Sequence, residues 1–181
     1  MAGPGMRYYE LSRALSKHFD VTLFVPDSTD LSTEEFRIVP FVSGNSSRDL
    51  AKKIKGLDAV IAQSLRPPLL NSIRKSGIKF IADLYDPLAI EVLEYTKDDN
   101  KKLRQSTFDF NYYSLALQLN CADHILCASD RQRDYYAGVL SGKKILGPDF
   151  YDASPSLAKF ITIAPFGLRK EDPVAKNPEA F

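Results

Sequence analysis

The chain has 181 residues, 44% hydrophobic and 26% charged, and its 24 basic side chains nearly cancel 23 acidic ones to leave a formal net charge of +1. That length supports one domain with a proper core, and the neutral balance argues against a nucleic-acid partner, since such domains are ordinarily basic. No apolar run approaches the length of a transmembrane helix, no apolar signal core opens the sequence, and two cysteines, Cys121 and Cys127, suit a reducing compartment better than a disulfide scaffold. The expected location is the cytoplasm, with peripheral association at the inner face of a membrane as the variant of it.

In chain order, Tyr8, Leu11, Leu15 and Phe19 fall on one helical stripe with Glu10, Arg13 and Lys17 opposite, which predicts a half-buried helix over residues 6–19. Asp20 ends it. Residues 21–25 (VTLFV), apolar and closed by Pro26, predict a buried strand. Residues 36–39 predict a second strand, residues 46–55 a short helix and residues 58–62 (DAVIA) a third strand. Pro68 suits the first position of a helix that Gly77 closes. Residues 79–83 (KFIAD) and 124–127 (HILC) read as the fourth and fifth strands, with a long helix over residues 98–121 between them. Leu103, Phe110, Leu117 and Cys121 line one side of that helix and Phe108, Tyr112, Leu115 and Leu119 the other, so it is expected to pack between layers, touching the sheet and a neighbouring element. A helix over residues 129–140 and a strand over residues 160–163 follow.

Strands and helices alternate, and the strands are continuous apolar runs. Both features predict an α/β fold: a doubly wound, Rossmann-like parallel sheet with helices on both faces. Residues 1–167 are expected to form this domain, and the polar, Pro-punctuated residues 168–181 a linker or tail. In such sheets the first strand is central, and the turn after it carries the glycines that approach a ligand. Gly3-Pro4-Gly5 running into a helix fits that turn without its strand. The sequence is therefore expected to be cut short at its start, and the folded particle to hold something between the strands over residues 21–25 and 79–83. Upstream residues are the first choice, then a strand from a second copy or a rearranged segment of this chain.

MAGPGMRYYELSRALSKHFDVTLFVP resembles the loop, first helix and second strand of family-four-type GT-B glycosyltransferases, in which a Gly-rich loop precedes an R-x-x-E-L-x-x-x-L helix, here Arg7, Glu10, Leu11 and Leu15. FIADLYDPLAIE, HILCASDRQRDYYAGVL and IAPFGL are similar to later landmarks of the same domain and keep the family's order from Ala2 to about Leu168. The resemblance implies the N-terminal, acceptor-side half of a GT-B enzyme. Two Rossmann-like domains would face a cleft, the first holding a sugar or glycolipid acceptor and the second the nucleotide-sugar donor. Transfer would retain configuration and need no metal or other cofactor. IAPFGL resembles the crossover into the C-terminal domain, so the donor-binding half and its pair of glutamates are expected outside this sequence, and the chain alone is expected to be inactive. Two rival classes stand beside this one: a stand-alone Rossmann-like module that docks a separate donor-binding subunit, and a nucleotide-binding enzyme of flavodoxin-like topology.

Gly3 and Gly5 would let backbone N–H groups approach a phosphate at a helix N-terminus, or else belong to a frayed end. Arg7, in the first turn, would reach the same anion or be solvated. Asp83, Tyr85, Asp86 and Glu91 follow the fourth strand, at the carboxyl edge where open parallel sheets hold ligands. Related enzymes often place a histidine or an acidic residue there against the transferred sugar or the acceptor. This stretch has no histidine and so departs from that pattern; Asp86 or Asp83 is the candidate substrate contact, with Asp86 the candidate catalytic residue and turn chemistry before Pro87 as its alternative. Gln63, Ser64 and Arg66 follow the third strand and either serve the cleft or form a surface loop, Arg66 being held extended by the next proline. Ser129 and Gln132 form a capping-box pattern that accounts for both, with an anion contact by Ser129 or Arg131 as the functional alternative. Cys121, His124 and Cys127 look metal-like in composition, but strand alternation turns His124 and Cys127 to opposite sides.

Overall fold

Among the described residues, six short runs rich in β-branched and aromatic side chains form strands: β1 (Thr22–Pro26), β2 (Arg37–Phe41), β3 (Ala59–Ala62), β4 (Lys79–Asp83), β5 (His124–Cys127) and β6 (Ile161–Ile163). The computed structural model describes residues 3–167. The expected tail over residues 168–181 lies outside them. Every strand pairing is parallel, and parallel neighbours need a crossover, which is ordinarily a helix. The chain supplies α1 (Gly3–Leu15) ahead of β1, α2 (Ser46–Lys53) before β3 and α3 (Pro67–Lys75) before β4. It then supplies α4 (Leu88–Tyr95) and α5 (Lys101–Cys121) before β5, and α6 (Asp130–Gly142) and α7 (Pro148–Ala153) before β6. The fold is α/β, Rossmann-like and doubly wound, with a four-stranded sheet in the order β3-β4-β5-β6 flanked by helices and a separate two-stranded sheet β1-β2. No described helix is long and apolar enough to cross a membrane.

The core lies on the four-stranded sheet. Phe80, Ala82, Ile125, Cys127 and Ile161 from its strands meet Leu69, Leu70 and Ile73 of α3, Leu115 and Leu119 of α5, and Tyr136 and Leu140 of α6. Local chemistry places these helices. Pro67 and Pro68 preset the first turn of α3, and Gly77 takes the positive φ of +69° that lets the chain turn back into β4. Asn100 caps α5 by accepting from the Leu103 N–H at 3.0 Å. β2 is an edge strand and carries Pro40, whose missing N–H is not needed on the unpaired side.

Several expectations change. The Gly-Pro-Gly triplet is the first turn of α1, where proline is at home, and is not a loop ahead of it. The helix also stops at Leu15, which leaves Phe19 66% exposed. Residues 88–95 and 148–153, which the sequence reading assigns to no element, form α4 and α7. α5 touches β4 of the sheet and the neighbouring α4 and α3, as expected, but it is covered over only part of its length: Leu115, Gln118 and Leu119 are buried near its carboxyl end while Phe110 is 73% exposed. Its 21 residues span about 31 Å, and strands of three to five residues cover at most about 17 Å of that length. Finally, β1 does not face β4. The groove beside β1 has β3 as its other wall, because the short α3 crossover sets consecutive strands β3 and β4 side by side.

Candidate functional site

β4 delivers Asp83 to the carboxyl edge of the sheet with no solvent exposure. Both its oxygens meet the Arg7 guanidinium of α1, Nε to Oδ2 at 2.8 Å and Nη2 to Oδ1 at 2.6 Å. Arg7 Nη1 donates to the Ala164 carbonyl at 3.0 Å, just past β6. The guanidinium carbon lies 4.7 Å from the Tyr85 ring centroid and 4.9 Å from that of Phe166, and the two rings meet edge-on at 5.2 Å. Burial works to lower the proton affinity of Arg7, but the hydrogen bond and charge of Asp83 more than offset it, and the group ends up raised. One buried cation thus ties α1, β4 and the chain after β6 together.

The next two residues are clamped by α6. Gln132 Nε2 donates to the Tyr85 carbonyl at 2.7 Å, and the Tyr136 hydroxyl to the Asp86 carbonyl at 3.1 Å. Gln132 can do this because of how α6 starts. Its own N–H bonds Ser129 Oγ at 3.3 Å, and its Oε1 reaches back to the Ala128 N–H at 2.6 Å. The expected capping box forms, with its return bond one residue earlier than Ser129. Asp86 then faces Gln63 from the loop after β3: Gln63 Nε2 donates to Asp86 Oδ2 at 3.2 Å and the Tyr85 hydroxyl to Gln63 Oε1 at 3.4 Å. That loop is pinned by Gln118 of α5, whose amide accepts from the Leu65 N–H at 3.1 Å and donates to the Leu65 carbonyl at 3.0 Å.

Burial pushes the Asp86 carboxyl above its ordinary 3.8, against hydrogen bonds from Gln63 and Tyr85 that work the other way. Glu91 is raised too, by burial and then by the charge of Asp86. The Tyr85 hydroxyl is pushed up to about 12 by burial and by Asp86. Chemically, the cluster offers a carboxylate acceptor beside an amide that both gives and takes hydrogen bonds, a combination suited to hydroxyl groups. Among the described residues, no group of three or more His, Cys, Asp or Glu side chains is placed to hold a metal ion.

The raised Asp86 has a consequence for stability. Folding increases its affinity for a proton, so above the ordinary 3.8 the folded state holds more proton than the unfolded chain, and stability falls as pH rises through the folded-state value. Asp86→Asn removes that slope. Thermal melts between about pH 4 and pH 7 should show the variant gaining on the wild type as pH rises. The gain should be about half a kcal/mol or less for a half-exposed group. Parallel curves would place Asp86 in the ordinary carboxylate range.

No family model, curated protein or solved structure matches this chain.

Of the residues singled out in the sequence, Arg7, Asp83, Tyr85, Asp86 and Gln63 come together here. Gly3 and Gly5 lie exposed in the first turn of α1. Arg66 is the exposed N-cap residue of α3, with the extended ψ of 150° that Pro67 demands. Ser129 is engaged in its cap and Arg131 is exposed. His124 sits away from the cluster, its ring nitrogens 3.0 Å from the Lys159 carbonyl and 2.9 Å from Thr162 Oγ1. Gln118, Tyr136 and Phe166 belong to the cluster without being candidates from the sequence. For Gln118 a signal existed: it is a polar residue lying between the apolar Leu115 and Leu119 on a helix face.

Proposed function

We propose that this chain is the acceptor-side wall of a retaining glycosyltransferase of GT-B architecture, with the nucleotide-sugar carried by a second Rossmann-like wall. What supports this reading is convergence. A chain of contacts links Arg7 of the first family-like stretch to Asp83 and Tyr85 of the second and Ala164 and Phe166 of the fourth, and Gln132 and Tyr136 of the third to Tyr85 and Asp86. These contacts lie at the carboxyl edge of a parallel sheet, where open α/β folds take their ligands.

In this reading Asp86 and Gln63 bond the hydroxyls of an acceptor sugar, and the raised Asp86 suits a group that takes a hydroxyl proton. Arg7 and Asp83 hold the shape without touching substrate, because their charges are buried against each other. An acceptor of the glycolipid class would be met at the inner face of a membrane. The exposed Ile90, Leu93 and Tyr95 of α4 and Phe110 and Tyr113 of α5 support contact with such a surface. One wall buries too little of a nucleotide-sugar for tight binding, so the chain alone binds the donor weakly and transfers nothing.

The test is a titration of the full chain, followed by amide NMR, with a panel of simple glycosides, and calorimetry with nucleotide-sugars. A sugar at millimolar concentration should shift the amides of Gln63, Tyr85 and Asp86, and Asp86→Asn should abolish the shifts while leaving the fold intact. Micromolar binding of a nucleotide-sugar to this chain alone would remove the reading, as would a panel in which no sugar moves those amides.

A further inference from the structure

A groove of about 1140 Å³ separates the two sheets. One wall is the whole of β1, the other the whole of β3, and Tyr8, Leu11 and Leu15 of α1 cover it. Each of these strands is paired on one side only, β1 with β2 and β3 with β4. Alternation in a parallel ladder identifies the backbone groups left over. Arg37 N–H bonds the Val21 carbonyl and Asp27 N–H the Phe41 carbonyl, so β1 turns its odd-numbered residues to β2 and leaves Thr22 and Phe24 toward the groove. Lys79 N–H bonds the Asp58 carbonyl, so β3 turns its even-numbered residues to β4 and leaves Ala59 and Ile61. Both walls therefore present donors and acceptors at strand periodicity. An extended chain can pair both rows at once, whereas a helix spends its backbone groups on itself.

The side chains around the groove tell the same story. Strands of this apolar composition are ordinarily buried on both faces in parallel sheets, yet no residue of β1 or β3 is buried. α1 buries Arg7 and Ser12, while its apolar Leu11 and Leu15 stay half-exposed against the groove. The size agrees as well. A five-residue strand, about 17 Å long, at a strand spacing of about 4.8 Å and a layer depth of about 10 Å, fills about 800 Å³.

α1 supplies the direction. Its Pro4 and Gly5 line the groove, as do Pro26 at the end of β1, Ser28 beyond it, and Gln63 and Ser64 beyond the end of β3. Its far end leads through Phe19 and Asp20 to the start of β1. A strand parallel to its neighbours would leave the groove at the point where α1 starts, completing a βαβ crossover with β1.

We infer that the groove is the seat of a further parallel β-strand, a short aliphatic and β-branched segment that precedes α1 in the chain and pairs with β1 on one side and β3 on the other, joining the two sheets into one. A strand from a second copy or another protein would pair the same edges, but nothing would require it to end where α1 begins.

The test extends the full chain ahead of Met1 with a short Val/Ile/Leu segment and compares it with a Gly/Ser segment of equal length. In the Val/Ile/Leu form, hydrogen exchange at the Phe24 and Ile61 amides should slow roughly tenfold or more, and the melting temperature should rise by several degrees. Leu11→Lys, which places a charge on the groove face of α1, should erase that gain while barely altering the unextended chain. Equal behaviour of the two extensions overturns the inference. So does protection of Phe24 and Ile61 in the unextended chain that grows with protein concentration, because a second copy would then fill the groove.

Discussion

Asp83→Ala will destabilise the fold by about 3–5 kcal/mol, because it leaves the Arg7 guanidinium buried without its counter-charge. Arg7 and Asp83 are 5% and 0% exposed as side chains and share two hydrogen bonds, so water cannot replace the lost partner. For a chain of this length the loss corresponds to a fall in melting temperature of roughly 6–20 °C. Removing both charges should be far milder. The pair Arg7→Met with Asp83→Leu should recover most of the stability, since a buried ion pair replaced by apolar groups of similar volume is often neutral. Denaturant unfolding of the single and double variants measures this directly. A double variant no more stable than Asp83→Ala would mean that the pair is not energetically coupled. The substitution should also loosen the sugar-responsive amides, because Arg7 joins β4 to Ala164 and Phe166.

Gln118→Leu will cost about 2–4 kcal/mol, although it makes the α5 face more apolar. The Gln118 side chain is 1% exposed and serves both backbone groups of Leu65. Each such group left without a partner costs about 1–3 kcal/mol, less where water can reach it. The loop it pins carries Gln63, which holds Asp86 at 3.2 Å. The variant should therefore show faster exchange of the Leu65 amide and weaker sugar-induced shifts at Asp86. A loss below about half a kcal/mol would mean that water satisfies Leu65.

The site was legible in part. The carboxyl-edge rule drew attention to Asp83, Tyr85 and Asp86 because they follow a strand that the sequence marks clearly, and β4 matches its expected bounds. Arg7 was singled out for its place in a first helical turn, but its role differs from an exposed anion contact, because its partner is 76 residues away. In the sequence Gln132 has the place of a cap. It is one, and its amide nitrogen also crosses 47 residues to the Tyr85 carbonyl. The two apolar stripes of α5 correctly point to contact with the sheet and a neighbouring helix but overstate how far along the helix it runs, since periodicity counts apolar faces without knowing how much sheet lies beneath them.

The sequence by itself determined the features set by neighbours along the chain. These are the apolar runs that became parallel strands, the alternation with helices, the prolines and glycine that bound α3, and the Ser129 cap of α6. Each depends on spacings of two to four residues, which the backbone periods of strand and helix convert into structure. Tertiary structure alone decided that Arg7 meets Asp83, that Gln118 holds Leu65 across 53 residues, that Tyr136 supports Asp86 across 50, and that β3 and not β4 faces β1 across the groove. Those meetings depend on the hand of each crossover and the register of each strand pair, and neither is written in the spacing of residues along one segment.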